Sequence, residues 1–229
     1  MLNKQWINIS SHSSAQKEEL AKRLGIHPVL AQLLLNRGIT NFEEAKTFFR
    51  PNLEFLHDPF LMKDMEIAVS RIEKAITAGE HILVYGDYDV DGTSSVALMS
   101  TYLKTKTKTV ATYIPDRYEE GYGVSYKGID FAHDNDFSLI IALDCGVKAI
   151  DKVFYAKNKG IDFIICDHHR PGIQLPDAVA ILDPKRQDCA YPYKELCGCG
   201  VGFKLIQALN LKGGNSIDAL TSYLDLVVL

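Results

Sequence analysis

The spacing of apolar positions along the chain changes once, near residue 79. Before it, Met65, Ala68, Val69, Ile72, Ala75 and Ile76 recur at helical intervals on one face, and the stripe ends at Gly79. Further upstream, Thr40 with Glu43 forms a capping-box pattern ahead of Ala45–Phe49, and Pro51 stops that helix. Beyond Gly79, short continuous apolar runs replace the stripe: His81–Gly86, Val110–Pro115, Ser138–Leu143, Asp162–Cys166 and Val179–Leu182. Runs of this length and β-branched content predict strands buried on both faces. Helices are expected over Thr93–Lys104, Val147–Lys159, Gly200–Asn210 and from Ser216 onwards. The alternation predicts an α/β fold: a doubly wound, mainly parallel five-stranded sheet with helices on both faces, preceded by a helical N-terminal region. The expected division is 1–78 for that region and 79–229 for the α/β domain.

Three of the predicted strands end in residues that bind metals. The first runs into Gly86-Asp87-Tyr88-Asp89-Val90-Asp91-Gly92, the third into Asp144-Cys145-Gly146, and the fourth into Asp167-His168-His169. Open α/β sheets place their ligands at the carboxyl ends of strands. Three clustered aspartates repel one another unless a cation neutralises them. Asp87-x-Asp89-x-Asp91-Gly92 opens like an EF-hand loop, but Leu98 stands where that loop needs a glutamate and a strand, not a helix, precedes it. The shorter frame Asp89-x-Asp91 also fits a haloacid-dehalogenase-type phosphatase with Asp89 as nucleophile. The other two strand ends favour a metal cluster instead. A mixed carboxylate and imidazole shell points to Mn²⁺ rather than Mg²⁺. A bridging carboxylate, for which Asp144 is the best candidate, holds two such ions about 3.5–4 Å apart, a geometry suited to phosphoester hydrolysis. Asp89, Asp144 and His168 are expected as the main metal shell. Asp87 and Asp91 then supply a second ion or orient water. His169 either donates to the leaving oxygen or supports His168.

These three segments resemble motifs one to three of the DHH phosphoesterase superfamily. Two more, Ile114-Pro115-Asp116-Arg117-Tyr118-Glu119-Glu120-Gly121-Tyr122-Gly123 and Tyr191–Leu205, are similar to segments of RecJ-type single-strand-specific exonucleases within it. The resemblance implies 5′-to-3′ hydrolysis of single-stranded DNA in repair and recombination, with a single-strand-binding protein and a helicase as partners. Within the superfamily, a small-substrate phosphodiesterase or pyrophosphatase is the alternative, and an inactive nucleic-acid-binding fragment is the non-enzymatic one. The superfamily's Asp-x-Asp pattern favours Asp87 over Asp91 as a ligand. The resemblance further implies a fourth-motif aspartate beyond Leu229, so the chain reads as a catalytic domain cut before that motif.

The loop after the second strand is expected to overhang the cleft. Arg117 offers a planar fork for phosphate. Tyr118 and Tyr122 are candidate base-stacking platforms, and Gly121 and Gly123 allow close approach of backbone to ligand. Composition adds little to this. At 47% apolar and 24% charged the 229 residues are ordinary for a globular protein, and a net charge of −4 carries no global nucleic-acid signature. Five cysteines and the lack of a long apolar run or signal-like start suit a cytoplasmic protein without a membrane span. Cys197-x-Cys199 has no second pair to complete a zinc site and is expected to pack a helix entry.

Overall fold

The computed structural model describes residues 5 and 12–228. The chain divides into two compact units, Met1–Leu56 and His57–Leu229. The first holds α1 (Ser14–Leu24), α2 (Pro28–Leu35) and α3 (Phe42–Phe49) around a small core that includes Leu20, Ala31, Leu34, Leu35 and Ala45. The cap of α3 lies one residue later than the sequence pattern suggests. Asn41 Oδ1 accepts the Glu44 N–H at 3.0 Å, and Glu44 Oε2 accepts the Thr40 N–H at 2.6 Å.

The second unit opens with α4 (Met65–Ala78), which packs on β5 (Ala180–Leu182) and on α8 (Gly198–Lys212). The helical stretch expected over 1–78 is thus shared between the two units. In between come β1 (His81–Gly86), α5 (Val90–Lys104), β2 (Val110–Tyr113), α6 (Tyr126–Asp134), β3 (Phe137–Leu143), α7 (Ile150–Asn158) and β4 (Asp162–Cys166). The sheet order is β2-β1-β3-β4-β5, and every pairing is parallel. The chain steps outward from β1 to β2 and then back across β1 to β3. Right-handed crossovers therefore put α5 on one face and α6 and α7 on the other. Leu83, Tyr85, Ile140, Ala142, Phe163 and Ile165 pack with Ile129, Ala132, Val153 and Ala156 of α6 and α7. The alternate strand residues Ile82, Val84, Ile141, Leu143 and Ile164 are also fully buried, on the side of α5 and α8. Burial on both faces is why β1, β3 and β4 read as unbroken apolar runs.

The two edges of the sheet differ in their polar chemistry. At the amino edge Arg71 of α4 reaches both Glu80 and Asp162 at 2.6 Å, and Glu80 also accepts from Ser138 Oγ. At the carboxyl edge, β1, β3, β4 and β5 are each followed directly by an aspartate: Asp87, Asp144, Asp167 and Asp183. All four are buried, and among the described residues no comparable set of buried cations faces them. In this strand order the ligand crevice falls between β1 and β3, where the winding reverses.

Candidate metal centre

Asp87 closes β1 and is fully buried. Its Oδ1 accepts the Tyr88 N–H at 2.8 Å, while its Oδ2 has no hydrogen-bond partner among the described residues. Burial pushes its pKa up against the Tyr88 N–H, and the neighbouring charge of Asp89 adds to the rise. The chain turns at once into α5. Asp89 is the N-cap, its Oδ1 accepting the Gly92 N–H at 2.9 Å. A Cβ at residue 92 would lie 2.5 Å from the Asp87 carbonyl oxygen, so only glycine permits this turn.

The helix therefore begins at Val90, not at the expected Thr93, because the aspartates themselves supply its cap and first turn. Asp91 consequently sits in that first turn rather than at the strand end. Its Oδ2 accepts the Gly198 N–H and its Oδ1 the Cys199 N–H, both at 2.7 Å, so it caps the start of α8. Cys197 and Cys199 belong to that helix entry: Cys197 Sγ accepts the Gly200 N–H, and Cys199 is buried.

Asp144 follows β3 with a left-handed φ of 59° and is buried. Among the described residues its Oδ1 has no directed hydrogen bond, although His168 Nε2 stands 3.1 Å away. Burial lifts the Asp144 pKa to about 6; Asp91 and Asp89 push it up too, and His168 pulls it down. Asp144 in turn raises the pKa of His168, whose Nε2 also lies 3.7 Å from Asp91 Oδ2. His169 is held differently, with Nδ1 2.7 Å from Asp167 Oδ1 and Nε2 3.2 Å from the Tyr122 hydroxyl.

Asp167 is the anchor of this turn. Its Oδ1 also accepts the N–H groups of His168 and His169, and its Oδ2 accepts that of Val147. Burial pushes its pKa up, but these donors outweigh burial and hold it below the usual range. One ligand atom from each of Asp144, His168 and His169 falls within 4.8 Å of the others. Buried carboxylate oxygens without donors, crowded by Asp89 and Asp91 and faced by two imidazoles, fit a divalent cation better than any arrangement of protein groups alone.

The structure thus brings Asp87, Asp89, Asp91, Asp144, His168 and His169 to one edge. Sequence reasoning gave Asp167 no role and passed over Asp183 altogether. Asp183 is fully buried, accepts the Lys185 N–H at 2.7 Å through Oδ1, and has no partner at Oδ2 among the described residues. Burial lifts its pKa to about 6. The strand-end rule that found the other aspartates also finds this one, since it follows Leu182 directly.

The loop after β2 is exposed at Arg117, Tyr118 and Tyr122. Arg117 does not pair with Glu119 or Glu120. Glu119 binds Lys127, Glu120 accepts from Tyr113, Ser125 and the Asp116 N–H, and the guanidinium lies over the Tyr88 ring, 5.1 Å from its centroid. Tyr118 is 96% exposed and touches none of the metal-edge residues by hydrogen bond, whereas Tyr122 leans on His169 and stands edge-on to Tyr88. Gly121 and Gly123 both have positive φ, as the turn requires, and a Cβ at either would meet no protein atom nearer than 3.9 Å. Beside His169, Tyr122, Lys148 and Lys152 line a small cavity of about 190 Å³.

The DHH family, N-terminal domain, matches residues 81–229. The chain is similar to the single-stranded-DNA-specific exonuclease RecJ of Bacillus subtilis (strain 168), 44% identical over 192 residues that make up 84% of this chain and 24% of that protein. The RecJ exonuclease of Escherichia coli (strain K12) is 36% identical over 80% of this chain and 31% of its own length. Among solved structures, RecJ from Thermus thermophilus in complex with Mn²⁺ superposes with a TM-score of 0.76 at 25% identity, covering 96% of this chain and 30% of that one. The chain spans roughly a quarter to a third of the length of these relatives.

Proposed function

The chain belongs to the DHH family, and on that premise we propose that its carboxyl-edge centre binds Mn²⁺ or Mg²⁺ and hydrolyses phosphodiester bonds of single-stranded DNA from the 5′ end. The observation that carries the reading is a pair of buried carboxylates at the point where the winding reverses: Asp87, whose Oδ2 has no partner among the described residues, and Asp144, whose Oδ1 faces only the His168 imidazole. Asp87, Asp89, Asp144 and His168 are the residues that would hold the metal. The metal, when bound, polarises the phosphoryl oxygens and lowers the pKa of a water nucleophile.

The remaining chemistry belongs to the chain. Asp167 fixes the His169 ring through Nδ1, leaving Nε2 to carry a proton toward an oxygen of the substrate. The neighbouring carboxylates favour the imidazolium form of His169 against its burial, with Asp167 the largest influence. Asp91 is tied to α8, so its first duty is to hold the two helices in register around Asp144. Arg117, stacked on Tyr88 and free of carboxylates in its own loop, is placed for a phosphate, and Tyr122 forms the rim beside His169.

The relatives' names supply the substrate class, single-stranded DNA, and a manganese-bound relative supports the metal. By the same family reading, a single-strand-binding protein and a helicase are the partners in the cell. No helix among the described residues is long and apolar enough to cross a membrane, and the family reading makes the protein a cytoplasmic enzyme. The test is cleavage, with Mn²⁺, of 5′-labelled single strands, duplexes and dinucleotides. Release of labelled mononucleotide from single strands alone is expected. Equal cleavage of duplex removes the strand specificity, and cleavage of dinucleotides alone moves the protein to the small-substrate branch of the family.

A further inference from the structure

A cleft of about 810 Å³ in the second unit lies beside the acidic edge rather than in it. It is walled by the turn after β4 and by the loop between β5 and α8. Four cations line it, Arg170, Lys185, Arg186 and Lys194, against two carboxylates, Asp188 and Glu195. Its volume is within the ~300–1,000 Å³ range of ligand pockets.

The cations are not equivalent. Arg186 is buried and already committed, to Asp64 at 2.5 Å, to Asp188 at 2.7 Å and to the Ile181 carbonyl. It builds the floor. Lys194 donates to the Cys189 carbonyl at 2.7 Å, and Lys185 stands 3.3 Å from the largely exposed Glu195. Arg170 takes part in none of these pairs and is exposed. It directly follows His169, while Lys185 is joined through its N–H to Asp183. The cleft therefore adjoins the row of strand-end aspartates at its β5 end. Ile173, fully exposed on the same wall, adds an apolar surface beside the charges.

Resting on the function proposed above, we propose that this cleft carries the phosphodiester backbone of the single strand on the β5 side of the metal centre, with Arg170 and Lys185 as its phosphate contacts and Ile173 against a base. The Arg117 loop follows β2, the opposite edge strand. Cations then flank the acidic row at both ends, and a strand laid along the carboxyl edge meets positive charge on either side of the metals. A strand bound without sequence preference needs this pairing of backbone cations with apolar faces.

The experiment is fluorescence anisotropy of a labelled single-stranded oligonucleotide across a salt series, with the protein unaltered and as Arg170→Glu and Lys185→Ala. Arg170→Glu is expected to weaken binding about tenfold, and each variant to flatten the salt dependence by about 0.7 in log–log slope per lost contact. Arg170 is exposed and outside the ion pairs, so an unchanged melting temperature is expected; if that variant is unfolded, Lys185→Ala decides. Affinity and slope equal to the unaltered protein in a folded variant overturn the proposal. So does a loss confined to mononucleotide binding, which makes the cleft a product site. Failure of the unaltered protein to cleave single strands tells against the proposed function and leaves the comparison of binding to judge the cleft by itself.

Discussion

Asp144 combines a requirement of chemistry with a cost to folding. Its carboxylate is buried beside Asp89 and Asp91, and burial is the main reason its pKa rises to about 6. A carboxyl group whose folded pKa exceeds its unfolded value of ~4 contributes stability at acid pH, and that contribution is lost as pH rises from ~4 through about 6. In the metal-free protein the ionised side chain is thus a destabilising element at neutral pH, and a cation reverses the sign. Asp144→Asn keeps the shape and removes the charge. It is expected to raise the melting temperature of the metal-free protein at neutral pH by ~2–4 °C, for about 1 kcal/mol, and to abolish any further rise on adding Mn²⁺. A variant that melts lower and still responds to Mn²⁺ would show that the charge is stabilised by the protein itself. The proton and the metal also compete for Asp144 and His168, both with raised pKa values. The rise in melting temperature given by Mn²⁺ should therefore be large at about pH 8 and small at about pH 5. A rise independent of pH across that window would place the metal elsewhere.

The elements around the site are locked by contacts between segments distant in sequence, and this decides which parts were legible beforehand. The inner strands β1, β3 and β4 were legible because they are buried on both faces, which forces an apolar run whatever their neighbours are; the edge strand β2 is only half-buried. The acidic edge was legible because its aspartates directly follow the strands. Helix α6 was not, since Gly128 breaks its pattern; the glycine is there because a Cβ would lie 2.6 Å from the Tyr85 ring. The capping of α8 by Asp91 was hidden for another reason: no local pattern reports a hydrogen bond between residues 107 positions apart. Gly198 belongs to the same joint. A Cβ on it would stand 2.6 Å from both Cβ and Oδ1 of Asp144, so the start of α8 rests directly on that carboxylate. Gly198→Ala is expected to cost about 1–3 kcal/mol of stability and to weaken Mn²⁺ affinity as Asp144 is displaced. Gly202→Ala serves as the comparison, because its Cβ meets only the Leu143 Cδ2 at 3.3 Å. Calorimetric titration of the folded variants with Mn²⁺ separates the two; equal affinities would mean that Asp144 tolerates the shift.

At the scale of the whole molecule, a net charge of −4 conceals a strongly uneven distribution. Asp87, Asp89, Asp91, Asp144, Asp167 and Asp183 gather at one edge of the sheet, while the cations Arg117, Lys148, Lys152, Arg170 and Lys185 stand around it. Composition averages the two populations, which is why it gave no nucleic-acid signature. Without metal, the acidic edge repels a phosphodiester backbone, and only the flanking cations attract it. With divalent cations in place the same edge becomes attractive. Strand affinity should therefore depend on metal as well as on salt. With a hydrolysis-resistant phosphorothioate strand, saturating Mn²⁺ is expected to tighten binding about tenfold over the chelator-treated protein at equal ionic strength, a change of ~1.4 kcal/mol. Asp144→Asn should bind the strand with less dependence on Mn²⁺, because the substitution removes one of the repelling charges and weakens the metal site together. Affinity that is the same with Mn²⁺ and with chelator would mean that the strand does not cross the carboxyl edge, and the alignment of Arg117, the metal ligands and Arg170 along one path would fail with it.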